Sequence, residues 1–197
     1  MRHLEDKLNL KPTMFFNLGF SKETPSETSK QNHDEADFIC ALLTTIVKNL
    51  SNHNHSLRAL KGRIGIISPY KHQVRLIKNK LYAIKNQLGI NNHEFSSCIE
   101  INTVDAYQGR EKDIIIISTV RSHGLGFLND YRRMNVAITR AKNFLWIVGN
   151  QQALQKNENW NGLIERGIQR QYNFPNKDFE NRAHSAGMTF LEKTLKF

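Results

Sequence analysis

The chain has 197 residues, of which 39% are hydrophobic and 23% charged, enough length and apolar content for one domain with a buried core. Twenty-eight Lys and Arg residues against 18 Asp and Glu give a net charge of +10, which favours a polyanionic partner. No apolar run approaches the ~20 residues that span a bilayer, and the two cysteines lie too far apart for a zinc module or a disulfide scaffold. Composition therefore predicts a soluble, intracellular domain and excludes a membrane-spanning segment.

The positive charge is concentrated between residues 51 and 93, a stretch that contains no Asp or Glu. A phosphate backbone would bind such a surface through counterion release, with an affinity that falls steeply as salt is added. A solvated helix face rich in Lys fits the same stretch equally well, so the charge alone does not decide between the two. The eight basic residues are Arg58, Lys61, Arg63, Lys71, Arg75, Lys78, Lys80 and Lys85.

The first half of the sequence predicts two strands and two helices. One helix is indicated from Glu35, because apolar residues recur at helical spacing over the following turns, and Asn32 and Asp34 are suitable caps. Pro69 breaks the second strand, and an amphipathic helix follows it and ends near Gly89. The other predicted bounds are a strand at 13–18, polar loops at 19–34 and 51–62, and a strand at 63–68.

The second half also alternates strands with helices. Its strands, such as Asp113–Val120, are unbroken apolar runs rather than alternating patterns. Unbroken runs are typical of a parallel sheet that is covered on both faces, so the sequence predicts an α/β fold with a mainly parallel sheet. The predicted bounds are strands at 98–102, 113–120 and 143–150, helices at 130–142, 151–156 and 160–171, and a tail from residue 173.

Two patterns could be mistaken for metal sites. The acidic tetrad at residues 34–37 precedes a helix, where acidic residues ordinarily balance the helix dipole, whereas the carboxylates of a phosphate-hydrolysing site follow an apolar strand. His53 and His55 lie in a polar loop without a third ligand nearby, so we expect them to be solvated. We predict no metal site in this sequence, which also lacks a G-x-x-x-x-G-K-[ST] phosphate loop.

Two of the strands are followed by polar segments that packing alone does not require. Ser68, Pro69 and Tyr70 end the strand at 63–68, and at the carboxyl end of a parallel strand they could touch a sugar-phosphate chain or stack a base. Thr103 follows the strand at 98–102 and can bond phosphate or ribose, and Gly109 permits close backbone approach. An internally paired polar turn is the alternative for this second segment.

A third segment, residues 130–142, carries Arg140 on a predicted helix beside the sheet. The planar guanidinium fork is suited to neutralising the charge that develops on the oxygens of a transferring γ-phosphoryl group. The alternative is an Arg that satisfies backbone carbonyls at the C-terminus of the helix.

The order and spacing of these segments resemble the second RecA-like lobe of superfamily-one helicases, in the branch that contains the nonsense-mediated-decay helicase and senataxin. The three segments look like motifs IV, V and VI of that family, and the resemblance runs from about Met14 to Asn150. It includes Ser29–Ala36, similar to the family's S-x-x-N-x-x-E-A, and the Gly126–Asp130 segment between motifs V and VI. The resemblance implies a three-layer RecA-like (P-loop NTPase-type) domain at 13–172, with an N-terminal extension at 1–12 and a tail at 173–197.

The resemblance also implies roles for individual residues. Arg140 matches the arginine finger that contacts the γ-phosphate of ATP held by the first lobe. Glu111 matches the carboxylate that binds the nucleotide ribose, with Gly109 close to the phosphates. The residues that match positions near the bound strand are Ser68, Pro69, Tyr70, Thr103 and Arg121.

The family's Q-Y-R-M motif and its first lobe, which holds Mg²⁺, have no counterpart in these 197 residues. We therefore expect the C-terminal motor lobe of an ATP-dependent 5′-to-3′ helicase, inactive without the first lobe, with that lobe and single-stranded RNA or DNA as partners. Two alternatives stay open: a stand-alone nucleic-acid-binding module without ATPase activity, and a structural lobe that completes a site in trans. The expected compartment is the nucleus or the cytoplasm.

Overall fold

The computed structural model describes residues 11–26, 29–52, 61–86, 88, 91, 95–174 and 176–177. Six strands form a central sheet, and two short strands form a separate antiparallel hairpin. The strands are, in chain order, β1 (Thr13–Leu18), β2 (Thr24–Ser26), β3 (Ser29–Gln31), β4 (Ile64–Ser68), β5 (Ile99–Thr103), β6 (Lys112–Ser118), β7 (Ala141–Gly149) and β8 (Arg170–Phe174).

The central sheet has the order β5-β4-β6-β7-β1-β8, and every neighbouring pair is parallel. Its inner strands are apolar runs covered on both faces, and β4 is buried at every position. Because all strands point the same way, their carboxyl ends meet at one edge of the sheet, here called the carboxyl edge, and their amino ends meet at the amino edge. The predicted α/β, RecA-like fold with a parallel sheet is confirmed.

Helices cover both faces of this sheet and complete a three-layer arrangement. Successive strand residues point to opposite faces, so Phe15 belongs to one buried cluster and Phe16 to the other. Among the described residues no helix is both long and apolar enough to cross a membrane. The helices are α1 (His33–Asn52), α2 (Lys71–Ala83), α3 (Phe95–Cys98), α4 (Tyr131–Ile138), α5 (Gln151–Leu154) and α6 (Glu158–Gly162), with 3-10 turns at Asp105–Tyr107 and Gly126–Asn129 and a π turn at Leu163–Gly167.

Strand β8 is the main departure from the predicted elements. The predicted helix at 160–171 is wrong only in its last four residues, because α6 and the π turn end at Gly167 and the chain then turns into β8. The strand pairs with β1, which places the Tyr172 ring 5.6 Å from Phe16 and the Phe174 ring 4.9 Å from Phe38 between ring centres. The strand therefore crosses residue 172, where the domain is predicted to end and the tail to begin.

The start of α1 is partly as predicted. Asn32 caps the helix, since its Oδ1 accepts a hydrogen bond from the N–H of Glu35 at 3.1 Å. Asp34, the other predicted cap, lies instead within the first turn. The predicted loop at 19–34 contains the β2–β3 hairpin, and Gly89 lies outside the described residues.

The approach to β7 is shorter than predicted and irregular. Helix α4 ends at Ile138 rather than at residue 142, so Arg140 lies in the turn before β7. Lys112 pairs with Ala141, but the next pair joins Ile114 to Phe144, so β7 contains one more residue than β6 over this step. Such a bulge bends the strand and increases its twist.

Candidate functional site

Residues of the first two predicted motifs lie together at the carboxyl edge. Strands β4 and β5 are neighbours and end level, with Ser68 opposite Thr103. Pro69 and Tyr70 connect β4 to α2 and line, with Thr103, a groove of about 400 Å³. The other residues of this groove are Ser29, Lys71, His72, Asp105, Phe127 and Arg133.

Ser68 and Tyr70 are buried and shape the groove from within. The Ser68 hydroxyl accepts a hydrogen bond from the N–H of Tyr70 at 3.5 Å and so holds the turn between β4 and α2. The Tyr70 ring packs edge-on against the Phe127 ring, with 5.5 Å between their centres. Of the three residues predicted in this segment, Pro69 and Tyr70 line the groove, whereas Ser68 supports it from below.

Arg121 reaches the carboxyl edge from the loop after β6, and its guanidinium is engaged on several sides. Its Nε lies 3.0 Å from a carboxylate oxygen of Glu23, and its Nη2 donates to the carbonyl of His123 at 2.6 Å. Its Nη1 donates to the Tyr70 hydroxyl at 3.5 Å. Arg121 therefore ties its own loop to the segment before the hairpin and to the tyrosine of the groove.

Six of the nine groove residues were not predicted as site residues, and three of them, Asp105, Phe127 and Arg133, contact one another. Two guanidinium nitrogens of Arg133 bind the two carboxylate oxygens of Asp105, at 3.2 and 3.3 Å. The same guanidinium lies 4.9 Å from the centre of the Phe127 ring, a cation–π contact. Asp105 and Arg133 are 28 residues apart, so no spacing rule could have paired them from the sequence.

Gly109, Glu111 and Arg140 lie at the amino edge, where β6 and β7 begin. The N–H of Lys112 donates to the carbonyl of Arg140 at 3.0 Å, so the segments that carry Glu111 and Arg140 are hydrogen-bonded neighbours. The exposed Glu111 carboxylate lies 3.9 Å from the ammonium of Lys142. Gly109 has φ +74°, a left-handed conformation that glycine adopts without strain.

The Arg140 side chain folds back on the end of α4. Its Nε donates to the carbonyl of Val136 at 3.0 Å, and its Nη2 donates to the Thr139 hydroxyl at 3.1 Å. The first contact satisfies one of the carbonyls that a helix leaves unpaired at its C-terminus. These contacts use two of the five N–H donors of a guanidinium.

The turn between β5 and β6 is internally paired near the amino edge. The Glu100 carboxylate pairs with Arg110 and lies 3.1 Å from the Lys112 ammonium. Partial burial acts to raise the pKa of Glu100, but the bonds to the two cations outweigh it and hold the pKa below the usual value. For Arg110 and Lys112, the alternative of an internally paired turn is therefore what the structure has, since both side chains pair with Glu100.

A buried polar network lies beneath the carboxyl edge and centres on Glu35. Glu35 has no solvent exposure, and one of its carboxylate oxygens accepts hydrogen bonds from the Ser118 hydroxyl at 2.6 Å and from the N–H of Val120 at 2.9 Å. Burial raises the pKa of Glu35 to about 8, although these donors lower it. Glu35, which the acidic tetrad places in the first turn of α1, is therefore also a buried member of this hydrogen-bonded network.

Three basic residues of the stretch at 51–93 form an exposed row along α2. Lys71, Arg75 and Lys78 are exposed and follow each other at spacings of four and three residues, so they share one helix face. Lys80, in contrast, forms an ion pair with an acidic residue of α1. Arg58 lies outside the described residues.

The amino edge has the chemistry for one side of a nucleotide site. Arg140 contributes a guanidinium, a group that binds phosphate oxygens in proteins, Glu111 contributes an exposed carboxylate, and the space beside Gly109 is open. Within the described part of the chain, no three His, Cys, Asp or Glu side chains cluster to hold a metal ion. His53 and His55 lie outside that part.

Comparison with known proteins identifies the class to which this fold and these motifs belong. A family model described as an AAA domain matches residues 2–152, most of the chain. The chain therefore belongs to the AAA domain family, and its parallel sheet with helices on both faces is a RecA-like arrangement.

Relatives of this chain include proteins named as helicases. Helicase sen1 of Schizosaccharomyces pombe is 35% identical over 185 residues, which cover 92% of this chain and 10% of that protein. Regulator of nonsense transcripts 1 of Dictyostelium discoideum is 42% identical over 157 residues, 78% of this chain and 11% of that protein. Helicase SEN1 of Saccharomyces cerevisiae is 35% identical over 162 residues, 79% of this chain and 7% of that protein. The resemblance found in the motifs is confirmed, and the chain spans about a tenth of the length of the first two relatives.

Proposed function

We propose that the chain is the C-terminal motor lobe of an ATP-dependent 5′-to-3′ RNA or DNA helicase, working in the nucleus or the cytoplasm. The observation that carries this proposal is the placement of two chemically distinct groups of residues at opposite edges of one parallel sheet. Arg140 and Glu111 are neighbours at the amino edge, and Pro69, Tyr70 and Thr103 line the groove at the carboxyl edge. Because one rigid sheet joins the two groups of residues, a movement of this domain when ATP binds or is hydrolysed at the amino edge would also move the nucleic-acid strand at the carboxyl edge.

At the amino edge, the proposed role of Arg140 is to neutralise charge on the γ-phosphoryl oxygens of ATP held mainly by a first lobe. ATP with Mg²⁺ supplies the phosphoryl group whose transfer to water drives the motor. To reach it, the Arg140 guanidinium exchanges its bonds to Val136 and Thr139 for the phosphate, while Glu111 accepts a hydrogen bond from the ribose. The Mg²⁺ ligands belong to the first lobe in this proposal.

At the carboxyl edge, the proposed track for single-stranded RNA or DNA runs through the groove. Thr103 offers a hydroxyl to a phosphate or a ribose, and Pro69 and Tyr70 shape an apolar wall. Lys71 adds a cation at the start of α2, from which the exposed stripe of Arg75 and Lys78 continues. The strand then lies on a positively charged surface, as a polyanion requires.

The proposal is tested by ATP hydrolysis with and without a separately produced first lobe of a related helicase. The isolated chain should show no nucleic-acid-stimulated hydrolysis, and the mixture should show it. Arg140→Ala should lower turnover of the mixture by about a thousandfold or more, the usual effect of losing an arginine finger. Arg132→Ala, which removes an exposed guanidinium at the opposite end of α4, is the control and should leave turnover unchanged.

Two results would contradict it. Robust turnover by the isolated chain that Arg140→Ala abolishes would show that no first lobe is required. Unchanged turnover of the mixture with Arg140→Ala would show that this arginine does not act on the phosphate.

A stand-alone nucleic-acid-binding module without ATPase activity is the second candidate. The exposed stripe of Lys71, Arg75 and Lys78 favours it, since the stripe requires no second lobe to meet a phosphate backbone. Submicromolar and strongly salt-dependent binding by the chain alone would support this role, whereas a detached motor lobe should bind weakly.

A further inference from the structure

A second cavity, here called the slot, opens beside the groove and differs from it in character. It has a volume of about 560 Å³ and shares Ser29, Tyr70 and Phe127 with the groove, so the two are continuous. Its walls come from the β2–β3 hairpin on one side and from the loop between β6 and α4 on the other. The slot is lined by Pro25, Ser29, Lys30, Tyr70, Arg121, Gly126 and Phe127.

Phe127 is the most prominent side chain of the slot. Its ring is 50% exposed, although most aromatic rings of this domain are buried. The guanidinium of Arg133, which belongs to the groove, covers part of the ring, and the Tyr70 ring meets it edge-on. The ring is therefore held in place by two contacts and still presents half of its surface to solvent.

Gly126 keeps the space beside the Phe127 ring open. Its φ of +49° lies in the left-handed region, which side-chain-bearing residues rarely adopt. A Cβ at this position would lie 2.8 Å from the Tyr70 hydroxyl and 3.1 Å from Nη1 of Arg121. At position 126 the wall of the slot is therefore backbone alone, and a side chain there would begin to fill the slot.

Positive charge lies around this apolar space. The Lys30 ammonium lies 3.6 Å from one oxygen of the Glu23 carboxylate, and Nε of Arg121 lies 3.0 Å from the other. Two cations share one carboxylate, so the rim keeps a net positive charge. An occupant with a flat apolar body and an attached anion matches this combination.

We infer that the slot binds one unpaired nucleobase, which stacks on the exposed part of the Phe127 ring between it and Pro25, with the attached phosphate near Lys30. This inference rests on the proposed single-strand track and adds a base-binding position to it. Every base has a flat π-face, so binding here is tolerant of sequence. Continuity with the groove lets a neighbouring nucleotide occupy the groove at the same time.

The test compares two single-stranded oligonucleotides of equal length at low salt, one with bases and one abasic throughout. Binding to the full chain is followed by fluorescence anisotropy. Phe127→Ala should weaken binding of the first oligonucleotide by about tenfold and leave binding of the abasic one unchanged, because only stacking is lost. Phe127→Trp should restore the affinity, and Tyr131→Ala, which removes another exposed aromatic ring outside the slot and the groove, should change neither.

The results that overturn the inference are distinct from those that overturn the proposed function. Equal weakening of both oligonucleotides by Phe127→Ala, or equal affinity of the wild-type chain for both, would show that no base occupies the slot while the track itself stands. Failure of the wild-type chain to bind either oligonucleotide, even at high protein concentration, would contradict the track and the slot together.

Discussion

The carboxyl group of Glu35 is enclosed under the carboxyl edge by donors from two parts of the chain. The Ser118 hydroxyl and the N–H of Val120 bind one oxygen, and the amide of Asn32 lies 3.4 Å from the other. Burial raises the pKa to about 8, and the charge of Asp34 acts in the same direction. The folded protein therefore retains a proton at Glu35 over a pH range in which the unfolded chain has released it.

This proton predicts a specific pH dependence of stability. Below the ordinary pKa of about 4.5, Glu35 is protonated in both states; as pH rises from there towards 8, only the folded state keeps the proton, so the free energy of unfolding falls. Glu35→Gln does not titrate, so its stability relative to the wild type should rise with pH, by at most ~1.4 kcal/mol per pH unit. Urea unfolding of both proteins at several pH values between 5 and 9 measures this difference, in which other titrating groups cancel. If the difference in unfolding free energy between the two proteins does not change with pH, the donors around Glu35 stabilise its ionised form and its pKa is not raised.

At the scale of elements, Gln73 connects α2 to the start of α1 and to the end of β6. Its Nε2 donates to the carbonyl of Asn32 and to the Ser118 hydroxyl, both at 3.0 Å, and its Oε1 accepts from the N–H of Asn32 at 2.8 Å. The side chain has no solvent exposure. One amide thus satisfies buried polar groups from two other elements.

Gln73→Leu should destabilise the domain strongly. Leucine has a similar volume but leaves the buried N–H of Asn32 without a partner, whereas the Asn32 carbonyl still accepts a hydrogen bond from the N–H of Ala36 at 3.2 Å. One unpaired buried N–H costs ~1–3 kcal/mol, so we expect a loss of about 2 kcal/mol in the free energy of unfolding, measured in urea. Arg75→Leu, at an exposed position of the same helix, is the matched control and should change stability by less than ~0.5 kcal/mol. A comparably small loss for Gln73→Leu would show that water replaces the amide.

The elements that were predictable from sequence are those whose apolar pattern is complete within one segment. Residues 114–117 are four consecutive buried isoleucines, and that pattern predicts a central parallel strand without knowledge of its neighbours. Strand β8 carries only Tyr172 and Phe174 as buried residues, so its identity depends on pairing with β1, more than 150 residues away. The contact of Arg133 with Asp105 and the burial of Glu35 against Ser118 depend on long-range folding in the same way.

At the scale of the whole molecule, β8 extends the folded unit beyond residue 172. The matched family model stops at residue 152, and the domain is predicted to end at residue 172, but the Phe174 side chain is 2% exposed and packs on Phe38. The strand also covers one side of β1, which would otherwise be an open sheet edge. The free energy of unfolding should therefore depend on residues that lie beyond residue 172.

Chains that end at residues 172 and 177 test this dependence. The shorter chain loses Phe174 and the end of β8, and we expect a loss of about 3 kcal/mol in the free energy of unfolding, as for truncation of a buried Phe. The longer chain keeps every described residue and serves as the control, with the full chain as reference. Equal stability of the two truncated chains in urea would show that the fold needs no residue between 173 and 177.

The bulge at the start of β7 sets the direction from which the chain enters the sheet and leaves the register of the strand unchanged. Ala141 and Phe144 are three residues apart but pair with Lys112 and Ile114, which are two residues apart, so the extra residue leaves both on the faces of their partners. Deletion of that residue would regularise the pairing, keep the side chains from Phe144 onward on their faces, and remove the added bend and twist just after Arg140. The orientation of the Arg140 segment against the rest of the sheet therefore depends on one inserted residue, whatever its side chain.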